Sequence, residues 1–154
     1  MFIFEMTAAF DKRKIPYAIV GGYAVALHGA VRGTVDLDII LKFDRSDFEE
    51  AERLFQELGL TPRLPVRGTD VFDFREEYIK NRNLIAWSFY NPKRPSEVVD
   101  VIITHDLKKM KVEKIKVGKT TLKVLSIDDL IKMKKMSGRP QDLEDVKALE
   151  SIRK

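Results

Sequence analysis

Apolar residues recur at helical spacing over residues 2–14, where Phe2, Ile3, Met6, Ala9 and Phe10 share a face. That run predicts an amphipathic helix, ended by Pro16. Residues 17–20 are a short apolar run stopped by Gly21-Gly22, the pattern of a buried strand and a sharp turn. Residues 23–28 have helix-forming character, with Gly29 as the stop. The strongest strand of the first half covers 35–41, where acidic side chains alternate with apolar ones. Ser46 and Glu49 have the spacing of a capping box. They open a helix with an apolar face of Phe48, Ala51, Leu54, Phe55 and Leu58, closed by Gly59. From 60 to 77 the period is lost, and two prolines among mixed charges read as loop with room for one strand.

In the second half, residues 83–89 and 98–103 read as paired strands about an Asn91-Pro92 turn. Residues 112–117 and 122–125 alternate on either side of Gly118-Lys119, which predicts a hairpin. Ser126 caps a helix carrying Leu130, Ile131 and Met133, and a last helix covers 141–152 after the Gly138-Arg139-Pro140 break. Helices and strands intermix too irregularly for a doubly wound sheet. The expectation is an α/β (α+β) fold, a mixed β-sheet flanked by helices, in one domain over 1–154.

Composition narrows the chemistry. There is no cysteine, so disulfides, zinc–thiolate sites and cysteine nucleophiles are excluded. Histidine occurs only as His28 and His105. Any metal would therefore be held by oxygen, which favours Mg²⁺ or Mn²⁺. No apolar run approaches the roughly 18 residues of a membrane helix. The first ten residues include Glu5 and lack the basic lead and cleavage site of a signal peptide, so a cytoplasmic protein is expected. A net charge of +4 is compatible with a phosphate-bearing partner.

Three acids stand out. Side chains two apart on a strand point the same way, so Asp36 and Asp38 would project from one face, with Val35, Leu37 and Ile39 on the other. Two such carboxylates repel each other unless a cation lies between them. Asp100, inside the apolar run 98–103, is costly to bury without a cation or donor. If its strand lies beside theirs, three acids converge as in two-metal phosphoryl transfer. Upstream, Gly21-Gly22 has no β-carbons, so backbone N–H groups there can approach a phosphate. Arg32 and Thr34 are placed either to meet phosphate or, for Arg32, to pair with the aspartates. Lys134 has a bland reading as solvated charge near a helix end, and Asp142 one as a first-turn acid. Trp87, Phe89 and Tyr90 suit either a stacked base or a core strand.

Gly-Gly, a helix and then Asp-Leu-Asp resemble the signature of the nucleotidyltransferase superfamily related to DNA polymerase beta. More narrowly, Gly21-Gly22-Tyr23-Ala24, Arg32-Gly33-Thr34-Val35-Asp36-Leu37-Asp38 and the closing patches 125–134 and 138–145 resemble minimal nucleotidyltransferases and the AbiEii-type toxin family. The resemblance implies the nucleotidyltransferase fold, and transfer of a nucleoside monophosphate from a nucleoside triphosphate to a hydroxyl or phosphate acceptor. It implies Asp36, Asp38 and Asp100 as catalytic and metal-binding, with Asp100 the general base. Gly21, Gly22, Arg32, Thr34, Lys134 and Asp142 would contact nucleotide. It further implies a toxin–antitoxin role, an antitoxin partner and tRNA or protein as the acceptor classes, although the tRNA acceptor of the longer members is not carried over to this chain. The chain lacks the large C-terminal extension of the longer toxin-like members, and residues 61–97 match no motif of the family, so the acceptor site stays unread. Two other readings stay open: a catalytically inactive module of the same fold acting through a protein or RNA partner, and a basic nucleic-acid binder using residues 108–135.

Overall fold

The structure is a computed structural model that describes residues 1–34 and 36–153. The first helix, α1, spans Phe2–Lys12, and Lys14 turns the chain with φ of 58° before Pro16 is reached. Strand β1 is Ala18–Val20 and runs straight into helix α2, Gly21–Leu27. The glycine pair is thus the first turn of the helix, not a separate turn ahead of it. Strand β2 is Leu37–Ile40, so Asp36 precedes the strand, and Val35 lies outside the described residues. Helix α3, Arg45–Glu57, buries Phe48, Ala51, Leu54 and Phe55 as its period requires, whereas Leu58 is exposed. Its N-cap is Asp44 with no side-chain cap bond. Ser46 and Glu49 therefore form no capping box; Glu49 instead takes a hydrogen bond from Arg45 at 3.1 Å.

The stretch expected to be loop holds a two-residue strand β3, Thr61–Pro62, and two short helices, α4 at Gly68–Asp73 and α5 at Arg75–Arg82. Helix α4 has few apolar residues to show a period. It forms because Gly68 packs against the Phe48 carbonyl and Trp87, and because Arg67 and Asp70 cap each other. Strands β4, Ala86–Asn91, and β5, Arg94–Ile102, pair antiparallel as expected. The hairpin is β6, Val112–Val117, and β7, Thr120–Leu125, with Gly118 at φ 62° in its turn. Ser126 accepts from the Asp129 backbone N–H at 3.3 Å and opens α6, Ile127–Ser137. Gly138 ends α6 in the left-handed conformation, and Pro140 starts α7, Pro140–Arg153, at a position where its missing N–H costs nothing.

The seven strands of the described residues form one mixed sheet in the order β3-β4-β5-β2-β1-β7-β6. Strand β2 is antiparallel to β1 and parallel to β5. Cross-strand partners share a face. Phe89, Val99 and Leu37 make one buried row and Trp87, Val101, Ile39 and Ile19 the next. These rows pack against α1 and α3 through rings: Phe55 lies 4.5 Å from Phe89, 5.8 Å from Phe10, and Phe48 stacks on Trp87 at 5.8 Å. Trp87 and Phe89 are core residues, and the base-stacking reading of that pair is dropped. No helix among the described residues is long and apolar enough to cross a membrane.

Candidate active site

The register of β2 and β5 places Asp38 opposite Asp100. Partners across the ladder face the same way, so both carboxylates leave the sheet on the side away from Leu37 and Ile39. They are close enough to share a hydrogen bond. Burial first, then the Asp100 carboxylate, then Asp36, push the Asp38 carboxyl up to about 7, with Lys134 opposing them. Asp36, just ahead of the strand, is more exposed and is raised by burial and by Asp100, against Arg63. The three acids lie within electrostatic reach, but as a pair with a third at the rim. Among the described residues no group of three or more Asp, Glu or His side chains is gathered into one metal-holding cluster. Two adjoining carboxylates that resist joint ionisation are still a donor set that suits a hard divalent cation.

Gly21 is required by this pair. A β-carbon there would lie 2.1 Å from Asp38 Oδ2, and its φ of 67° is one that other residues rarely adopt. Gly22 leaves room for Thr34, whose side chain would be 2.8 Å from a β-carbon at that position. Thr34 itself donates to the Asp36 carbonyl at 3.4 Å. The glycines thus bring the start of α2 against the acids and the loop that leads to them.

Lys134 is not solvated: it is 7% exposed, with Nζ 2.8 Å from Asp145 and 3.5 Å from Asp142. The bland reading of that lysine is overturned. Arg32 pairs with Asp145 at 3.0 Å, not with Asp36 or Asp38. Asp142 does stand in the first turn of α7, yet it is buried and accepts from Arg139 Nε at 2.8 Å. Burial alone would raise Asp142 and Asp145. Hydrogen bonds from Arg139 and Ser137 to the first, and from Lys134 and Gln141 to the second, outweigh it and hold both carboxyls below the usual range. Asp145 and Arg139 carry no role in the sequence reading. The signal available for them was the i, i+3 spacing of Asp142 and Asp145, which puts both acids on one side of a helix.

Gly21, Asp38, Lys134, Arg139 and Asp142 also line a pocket of ≈ 270 Å³. Ile85, Ile102, Met133 and Met136 supply its apolar lining, with Thr104 and His105 among them. Thr104 Oγ1 lies 2.8 Å from His105 Nδ1, and burial lowers the His105 pKa, which favours the neutral imidazole. His28 is elsewhere, its Nε2 2.7 Å from the Leu125 carbonyl, tying the end of α2 to β7.

Solved structures share this architecture. The antibiotic-resistance factor ANT(2'')-Ia matches at TM-score 0.66 and 14% identity, over 96% of this chain and 80% of that one. The lincosamide antibiotic adenylyltransferase LnuA, solved with lincomycin, matches at TM-score 0.64 and 15% identity, over 98% and 96% of the two chains. A candidate nucleotidyltransferase from Thermotoga maritima matches at TM-score 0.62 and 15% identity, over 94% and 88%. At such identities these likenesses establish the fold. Among curated proteins none matches. The family described as Nucleotidyltransferase of unknown function (DUF6036) matches residues 2–154, and the chain belongs to that family and is a nucleotidyltransferase.

Proposed function

We propose that this protein transfers a nucleoside monophosphate from a nucleoside triphosphate to a hydroxyl acceptor, at the Asp38–Asp100 pair. The observation that carries the reading is the register of β2 and β5, which sets those carboxylates side by side next to Gly21 and a pocket with two cations, Lys134 and Arg139. Asp38 and Asp100, with Asp36 at the rim, would hold Mg²⁺ or Mn²⁺. A bound divalent cation supplies charge neutralisation on the phosphates and on the carboxylates themselves.

The chain's own groups do the rest. Lys134 and Arg139 offer positive charge to the triphosphate, held in place by Asp142 and Asp145. Gly21 and Gly22 let backbone approach it where a side chain would collide. The apolar lining of Ile85, Ile102, Met133 and Met136 suits the base. A carboxylate oxygen of Asp100 takes the acceptor's hydroxyl proton as the acceptor oxygen bonds to the α-phosphorus, and the bond from that phosphorus to pyrophosphate breaks. Arg32 and Thr34 position: the first steadies Asp145, the second the loop before Asp36. Neighbours of the same fold include an adenylyltransferase and an ANT(2'')-Ia complex with adenylyl-2''-tobramycin, which makes ATP the first triphosphate to test. The toxin-like role and an antitoxin partner rest on sequence resemblance alone.

The test is incubation with each α-labelled triphosphate, Mg²⁺ or Mn²⁺, and cell extract. Label should move to an acceptor with wild-type protein and fall at least a hundredfold in Asp38→Ala and Asp100→Ala, both still folded by circular dichroism. Equal labelling by wild type and both variants would sink the assignment.

A further inference from the structure

One row of residues crosses the sheet on the face of the carboxylate pair. Asp38 pairs with Asp100, and Asp100 with Ser88 on β4. The Arg63 N–H, just past β3, donates to the Ser88 carbonyl at 2.9 Å. The Arg63 guanidinium is close enough to Asp36 to offset part of that carboxylate's charge. At this end of the row is a second cavity of ≈ 240 Å³, lined by Arg63, Leu64, Val66, Leu84, Ala86, Trp87 and Ser88. It shares no lining residue with the pocket of Gly21 and Lys134; the chain itself divides them, since Leu84 and Ala86 line one and Ile85 the other.

In-line transfer needs the attacking and leaving oxygens on opposite sides of the phosphorus. Resting on the transfer reading above, the geometry points to this second cavity as the acceptor site, and to a compact, largely apolar hydroxyl compound carrying a negative charge as its acceptor. At ≈ 240 Å³ it has room for about one ring with a short substituent. Five of its seven lining residues are apolar. The charged one is Arg63, and no carboxylate lines it, which opposes a cationic acceptor. Ser88, on the same face as Asp100, offers a hydroxyl.

Two probes isolate the claim: 4-hydroxyphenylacetate and tyramine share a hydroxyphenyl body and differ in the sign of their charge. Their binding to wild type, Ala86→Leu and Arg63→Gln is measured by saturation-transfer NMR and calorimetry with Mg²⁺ and ATP present. ATP affinity is measured on the same samples. The acid should bind wild type at least fivefold tighter than the amine. Ala86→Leu should weaken it tenfold or more, and Arg63→Gln, at an exposed position that does not threaten folding, should erase the preference. ATP affinity should stay within twofold in Ala86→Leu. Tighter binding of tyramine, probe binding unchanged in both variants, or label transferred only to RNA or protein would overturn the acceptor assignment. Failure of wild type to bind any triphosphate would instead overturn the transfer reading beneath it.

Discussion

Asp38 shows how one side chain carries opposite demands. Its folded pKa of about 7 stands above its ordinary 3.8, so the folded state holds a proton that the unfolded chain has already released between those values. Stability of the metal-free protein therefore falls as pH rises from ~4 to ~7, and the loss is complete above. Asp38→Asn keeps the shape and removes the charge. It should melt higher than wild type at pH 8, flatten that slope in denaturant titrations, and lose transfer activity. A lower melting temperature for Asp38→Asn at pH 8 would show that the carboxylate is not under repulsion. Lys134 makes the converse case. Lys134→Met would leave Asp142 and Asp145 buried without their shared cation, at a cost of about 3–5 kcal/mol in urea unfolding.

Among elements, the start of α2 is the least tolerant. A methyl group at Gly21 would occupy the place of the Asp38 carboxylate and would also meet an unfavourable φ. Gly21→Ala should lose activity by at least a hundredfold and stability by ~1–3 kcal/mol, whereas Gly59→Ala, also at positive φ but with open space around it, should lose stability alone. Assay and thermal melt on the two variants separate the effects. The cap of α6 was legible, because Ser126 precedes the apolar period and its oxygen does bond the Asp129 N–H. Ser126→Ala should cost about 1 kcal/mol. The cap of α3 was misread: Ser46 and Glu49 have the right spacing but fall inside a helix that begins one residue earlier, at Arg45. Helices α4 and α5 were not legible at all. Too short to show a period, they are held by Gly68 under Trp87 and by Arg75 over the Phe43 ring at 3.8 Å.

At the scale of the molecule, acid works through a second set of groups. Asp142 and Asp145 have depressed pKa values, so the stability they contribute is present above ~3.8 and is lost as pH falls through their lower folded values. The clamp between α6 and α7 should loosen there. Hydrogen exchange below pH 3.5 should rise in α7 before it rises in β2 and β5; uniform exchange across the chain would count against a local clamp.

Period and punctuation along the chain were enough for most of the strands, the closing helices and the suspicion attached to Asp36, Asp38 and Asp100, since alternation and capping are local properties of neighbouring residues. Pairing is not local. Asp38 and Asp100 are sixty-two positions apart, and only the parallel register of β2 with β5 makes them a pair while leaving Asp36 at the rim. Burial is not local either: it turned Lys134 from a surface charge into the partner of two acids on the next helix, and it sent Trp87 to the core. The chain spells which side chains have the chemistry; the folded sheet settles which of them stand close enough to use it.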